Sequence, residues 1–209
     1  MFGFSKSSKI KKHASRVANK RTYAPDRLQS IHFLATVGDQ QAIEALLQRF
    51  TFTIDPSITD QEEKEATVQA ILSVDKEHSV SALVAFLERT RFIAWPLKCL
   101  EKLMSTDSVT HTLLDVLSRM DTGYERDPQR KIQILNALQD RDHQGIESAV
   151  RRFLDDPNET VRFHAVNILL SQPNAQDVQE TLRNAHKHEE SSRIRTSIEQ
   201  GFSNRQWKL

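Results

Sequence analysis

The stretch Asp142–Ser171, DHQGIESAVRRFLDDPNETVRFHAVNILLS, constrains the fold more than any other part of the chain. Its first half carries Ile146, Ala149, Val150, Phe153 and Leu154 at helical spacing. Its second half repeats that pattern with Val161, Ala165, Ile168 and Leu169. Between them lies the turn Asp155-Asp156-Pro157. Asp156 is placed to cap the second helix, Pro157 suits a first helical position, and Glu159 falls where a capping box would close. One helical hairpin cannot bury both of its faces, so this one requires similar neighbours.

The rest of the chain supplies them. Helices are expected at about 9–21, 25–37, 39–50, 60–73, 77–90, 96–104, 107–120, 128–139, 175–187 and 191–202, besides the hairpin itself. Gly38 ends the second helix, and Thr59 with Glu62 reads as a capping box for the fourth. The pairs Ile31/Leu34, Val68/Ile71, Leu100/Leu103, Leu135/Leu138, Ala165/Ile168 and Ile198/Gly201 recur at intervals of about 30–37 residues. Six units follow, at about 9–38, 39–74, 75–105, 106–141, 142–172 and 173–203. Residues 1–8, with Phe2 and Phe4, read as a flexible N-terminus, and residues 204–209 as a tail whose Trp207 folds back over the last hairpin. Units that touch only their neighbours are expected to form one cooperative body.

Composition sets further bounds. Lys and Arg number 29 against 28 Asp and Glu, so no overall positive excess marks the chain as a nucleic-acid coat. Cys99 is the one cysteine, which removes an internal disulfide or a CxxC motif. No apolar run reaches the length of a signal peptide or a membrane span. The expectation is a soluble protein of a reducing cytoplasm.

The segment Phe153-Leu154-Asp155-Asp156-Pro157-Asn158-Glu159-Thr160-Val161-Arg162-Phe163-His164-Ala165 resembles the Leu-x-Asp-x-x-x-x-Val-Arg-x-x-Ala pattern of HEAT repeats. The resemblance is to the short bacterial kind named after the HEAT-like repeats of phycobilisome lyases. It implies an all-α fold, an α–α superhelix or solenoid of about six HEAT-like hairpins. It also implies that Arg162 reaches toward the aspartates of the turn and ties units together. Ile132 takes the Arg162 position in the fourth unit, and Leu97 in the third.

No motif points to catalysis. The eight histidines are dispersed, and His186 and His188, two residues apart on a helix, point away from one another. Some HEAT-like enzymes hold a di-iron centre on repeated His-Glu dipeptides, but His188-Glu189 is the single such dipeptide here. Cys99 reads as a small buried apolar side chain with no base beside it. Trp95 reads as a core anchor of its turn. No cofactor or metal is expected.

Binding is therefore the expectation. The loop 51–60 brings Phe52, Ile54, Pro56 and Ile58, and the loop 121–127 brings Tyr124; both would emerge on one edge of the array, as anchors for a partner or as covers for a neighbouring unit. The second helices of the pairs would line a concave face with Lys98, Lys102, Arg130, Gln133, Asn167 and Arg195. The basic segment Lys9, Lys11, Lys12, Arg16, Lys20 and Arg21 reads either as the solvated outer face of a terminal helix or as an arm for an acidic or anionic surface. The leading reading is a non-enzymatic scaffold that binds another protein. The alternative is nucleic-acid binding through the basic arm and groove, where Arg130, Lys131, Arg162, Arg193 and Arg195 would join the arm.

Overall fold

A computed structural model describes residues 6–172 and 176–209. Phe2 and Phe4 lie outside the described residues. Among those described, all regular structure is helical: twelve α-helices and two short 3-10 turns. Scarce glycine and abundant Leu, Ala, Glu, Gln, Lys and Arg favour this outcome throughout. The chain divides into two compact units, Met1–Thr106 and Asp107–Leu209.

The first unit holds α1 (Lys6–Ala18), α2 (Ala24–Val37), α3 (Gln40–Leu47) with the 3-10 turn Gln48–Thr51, α4 (Ser57–Leu72), α5 (Lys76–Leu87) and α6 (Ala94–Leu103). Helix α2 packs on α4 and α4 on α6, while α1 packs on α3 and α3 on α5. Two layers result, with Ile31, Leu34, Leu46, Leu47, Val68, Ile71, Leu83 and Leu100 fully buried in the unit. Gly38 ends α2 as expected: it adopts φ 63° and its N–H donates to the Leu34 carbonyl at 3.1 Å. A side chain is excluded there twice over, by the left-handed backbone and because a Cβ would meet Val74 Cγ1 at 2.9 Å.

One local expectation changes. Helix α4 begins at Ser57 with Pro56 at its N-cap position, so Thr59 and Glu62 lie inside the helix and form no capping box. The carboxylate of Asp60 instead accepts the Ile54 N–H at 3.1 Å and holds the incoming loop. On α5 the buried stripe is Ser79, Ala82, Leu83, Phe86 and Leu87, with Val80 and Val84 half-buried at its margins.

The second unit holds α7 (Thr106–Ser118), α8 (Gln129–Leu138), α9 (Ile146–Arg151) with the 3-10 turn Arg152–Asp155, α10 (Glu159–Ser171), α11 (Gln176–His188) and α12 (Ser192–Asn204). Helix α10 is its centre, packed against α8, α9, α11 and α12. Val161, Ala165, Ile168 and Leu169 are fully buried, as their spacing predicts. Trp207 folds back on the end of α12, edge-on to Phe202 at 5.3 Å between ring centres.

The turn before α10 differs from its sequence reading. Asn158 is the cap, accepting the Thr160 and Val161 N–H groups at 3.0 and 3.2 Å. Asp156, two residues too early for that role, is buried in an ion pair. Pro157 precedes the cap rather than opening the helix.

Candidate functional site

The connection between α3 and α4 in the first unit rests on charges that are out of water. Glu63 on α4 receives a two-pronged contact from Arg27 on α2, Nε to Oε2 at 2.7 Å and Nη2 to Oε1 at 2.9 Å. Arg49, fully buried, also donates Nε to Glu63 Oε2 at 2.7 Å and Nη2 to Asp60 Oδ1 at 2.6 Å. Lys64 donates to Asp60 Oδ2 at 2.6 Å. Phe52 lies beneath this group, its ring centre 4.6 Å from the Arg49 guanidinium carbon, and its carbonyl accepts from Arg49 Nη1 at 3.2 Å. Phe52 is thereby engaged within its own unit, and Ile54 is half-buried; the large apolar side chain of this stretch that faces water is Ile58, 70% exposed. Such a paired cluster fixes geometry more than it adds stability, because desolvation offsets most of the attraction.

In the second unit the turns preceding α8, α10 and α12 lie along one edge, and ion pairs join them. Lys131, in the first turn of α8, is buried and donates to Asp156 Oδ2 at 3.0 Å and to the Gly123 carbonyl at 3.2 Å. The other carboxylate oxygen of Asp156 accepts the Asn158 N–H at 2.9 Å. Arg162, in the first turn of α10, repeats the device one turn onward. Its Nε and Nη2 meet Glu189 Oε2 and Oε1 at 2.9 Å each, and its Nη1 donates to the Asp156 carbonyl at 2.9 Å. Glu159 accepts from Ser191 Oγ at 3.0 Å, adding a third link between the same two turns.

This stitching separates two hollows. The larger, about 520 Å³, has Leu154, Pro157 and Ala185 as apolar lining, and Arg151, Asp155 and His188 among its polar lining. Its volume lies within the range of pockets that hold small molecules or side chains. The smaller, about 260 Å³, brings together Tyr124, Arg130 and Lys131. The Lys131–Asp156 pair forms the wall between them, Lys131 lining one and Asp156 the other. Tyr124 is 84% exposed, and Arg130 Nε is buried without a partner among the described residues. Burial pulls the Arg130 guanidinium below its ordinary pKa, against the opposing field of Glu125.

The remaining residues singled out by sequence are spread more widely. Lys98 pairs with Glu65 and lies over the Trp95 ring, which itself stacks on Phe50 at 6.0 Å. Lys102 is exposed, and Gln133 is half-buried. Asn167 accepts from Ser197 Oγ at 2.9 Å, and Arg195 donates to the Glu189 carbonyl at 3.1 Å. Asp155 is exposed beside the larger hollow. Arg162 reaches the turn as the repeat pattern implied, but it meets the Asp156 backbone carbonyl and the carboxylate of Glu189 rather than an aspartate side chain. Sequence reasoning passed over Lys131 as a structural residue, since alignment with Arg162 selects Ile132. A shift of one residue at the helix start brings Lys131 to the turn instead. It also passed over Arg27, Arg49, Asp60, Glu63 and Lys64. A signal was present: Asp60, Glu63, Lys64 and Thr67 continue the buried stripe of Val68 and Ile71 at helical spacing.

These carboxylates predict an acid limit. Burial alone would raise the Asp60 carboxyl, but hydrogen bonds from Lys64 and Arg49 outweigh it and hold it below the ordinary aspartate value. The Arg162 contact likewise lowers Glu189. A carboxyl whose folded pKa is depressed stabilises the fold fully above its unfolded pKa, and that contribution is lost as pH falls through the folded value. The urea midpoint should therefore be flat above about pH 5 and drop steadily toward about pH 3. Glu189→Gln should make the drop shallower in the second unit, as read by Trp207 fluorescence in a Trp95→Phe background.

The class so defined is an all-helical protein of two compact units, one of which carries a turn edge fixed by buried ion pairs. No helix among the described residues is long and apolar enough to cross a membrane. Comparison with protein-family models, curated proteins and solved structures returns no match to this chain.

Proposed function

We propose that this chain is a HEAT-like helical array, an α–α solenoid, that binds a segment of another protein in the cytoplasm along the turn edge of its second unit and performs no chemistry itself. The observation that carries the reading is the pair of hollows held open by Lys131–Asp156 and Arg162–Glu189. A groove whose walls are set before binding loses little entropy when it is filled. Tyr124 at one end and the Leu154–Pro157–Ala185 lining at the other supply apolar anchors, and charged residues beside them supply register. The layered packing of α1 on α3 on α5 and of α2 on α4 on α6 supports the array, since repeats of this kind touch mainly their neighbours. Cys99 supports a non-enzymatic role: it is fully buried, and desolvation pushes its thiol up to about 12, far from a reactive thiolate.

The test is site-specific photocrosslinking in native lysate treated with nuclease. A benzophenone amino acid at Asn184, which lines the larger hollow, should give a discrete protein adduct. The same group at exposed Lys76 on α5 should not. Equal adducts at both positions, or none at Asn184, would remove the groove from consideration.

A further inference from the structure

The proposed groove leaves unused the most uneven charge distribution in the chain. Residues 1–25 contain seven Lys and Arg and no Asp or Glu, leaving twenty-two bases against twenty-eight acids in the remainder. All seven lie on or just after α1, which is anchored rather than loose. Ile10 and Val17 are buried, and His13 stacks on Phe33 at 4.0 Å and meets Ser30 Oγ at 3.0 Å. Lys9, Lys12 and Arg16 follow one another at i, i+3 and i+7, so they form one stripe along the helix. Lys20 and Arg21 continue the basic run in the turn that follows, next to Tyr23, which is 72% exposed.

The acids of the elements packed on α1 do not neutralise this stripe. Asp39 is taken by Lys6 at 3.1 Å, Glu44 accepts from Gln40, and Glu63 is enclosed by Arg27 and Arg49. Asp26, on α2, makes no ion pair with the stripe. None of Lys9, Lys11, Lys12, Arg16, Lys20 and Arg21 forms an ion pair with a described residue. His13 registers the resulting field: burial, then Arg16 and Lys12, hold its imidazole below the ordinary histidine value.

We infer that this face of α1, with Lys20, Arg21 and Tyr23, is a sequence-independent binding site for the phosphodiester backbone of single-stranded nucleic acid. Unopposed cations in a row are what a phosphate chain requires, and an exposed aromatic beside them offers a stacking platform for a base. A bilayer is the poorer fit, because the exposed side chains of α1 include no large apolar group to insert; Ile10 and Val17 are already spent inside the unit. An acidic peptide would be expected to use an apolar anchor among the charges, and α1 offers none outward.

The experiment is fluorescence anisotropy of a fluorescein-labelled oligo(dT) of about 20 nucleotides with the full chain over a range of KCl concentrations. Five phosphate contacts predict a log–log slope of affinity on salt of about −3.5. The triple variant Lys9→Glu, Lys12→Glu, Lys20→Glu should weaken binding about tenfold or more at about 50 mM salt and flatten the slope. Tyr23→Ala should weaken it by about fivefold or more while leaving the slope unchanged. The substituted side chains are exposed, so urea midpoints followed by Trp95 should match the wild type. The assignment is overturned by no binding at the lowest salt, by binding that persists in the triple variant, or by preference for polyglutamate or phosphatidylserine vesicles over the oligonucleotide.

Discussion

Glu63→Ala should lower the stability of the first unit by about 3–5 kcal/mol, the largest single effect expected in the molecule. The substitution removes the one carboxylate shared by Arg27 and Arg49, both essentially out of water. Arg49 keeps Asp60, and Arg27 keeps the carbonyls of Asn19 and Thr22, so neither is stripped of every partner. Even so, two buried cations then face each other across the space a carboxylate held. A loss of that size is a large fraction of the 5–15 kcal/mol typical of a whole domain. The two tryptophans make the measurement local, because Trp95 lies in the first unit and Trp207 in the second. In a Trp207→Phe background, urea titration followed by Trp95 should show the full shift. If Glu63→Ala moved the midpoint by less than a surface substitution does, the cluster would be solvated in solution and its fixing role would fail.

Asp156→Ala should cost the second unit about 3 kcal/mol, at the lower end of the range for a broken buried pair, because Lys131 keeps the Gly123 carbonyl and lies 3.5 Å from Glu125. The contrast with Asn158→Ala is the informative part. As the true cap of α10, Asn158 should cost about 1 kcal/mol when truncated. Had Asp156 been the cap, as its position before Pro157 suggests, its truncation would cost only about 1 kcal/mol and that of Asn158 would be close to neutral. Titrations of both variants with Trp207 as the probe, in a Trp95→Phe background, decide between the assignments. Loss of Asp156 should also weaken any ligand of the turn edge, since this side chain forms part of the wall between the two hollows.

The agreement and disagreement between sequence and structure follow one rule. Apolar spacing located the helices, mostly to within a few residues, and correctly marked Val161, Ala165, Ile168 and Leu169 as buried. It marked Gly38 as a helix end because few other residues tolerate the left-handed conformation. Lys11, Lys12 and Lys102 are exposed, whereas Arg27, Arg49, Lys64 and Lys131, which sequence reasoning did not mark as buried, lie in the core. The one local signal is position: Arg27, Lys64 and Lys131 each precede a buried apolar pair at i+4 and i+7, but spacing along one helix does not name the partner that neutralises the charge. Arg27 becomes a core residue through Glu63, thirty-six positions away, and Lys131 through Asp156, twenty-five positions away.

The sequence by itself determined the all-helical class, the approximate helix positions and the apolar stripes, because these depend on the preferences and periodicity of residues close together along the chain. It also determined the basic excess of the first 25 residues, which composition alone reveals. The tertiary structure decided which charges are buried, that Asn158 rather than Asp156 caps α10, that Phe52 is held beneath Arg49, and that Tyr124 and Arg130 share a hollow. Each of these depends on a partner brought near by packing, and spacing along one helix does not say whether that partner is another side chain or water.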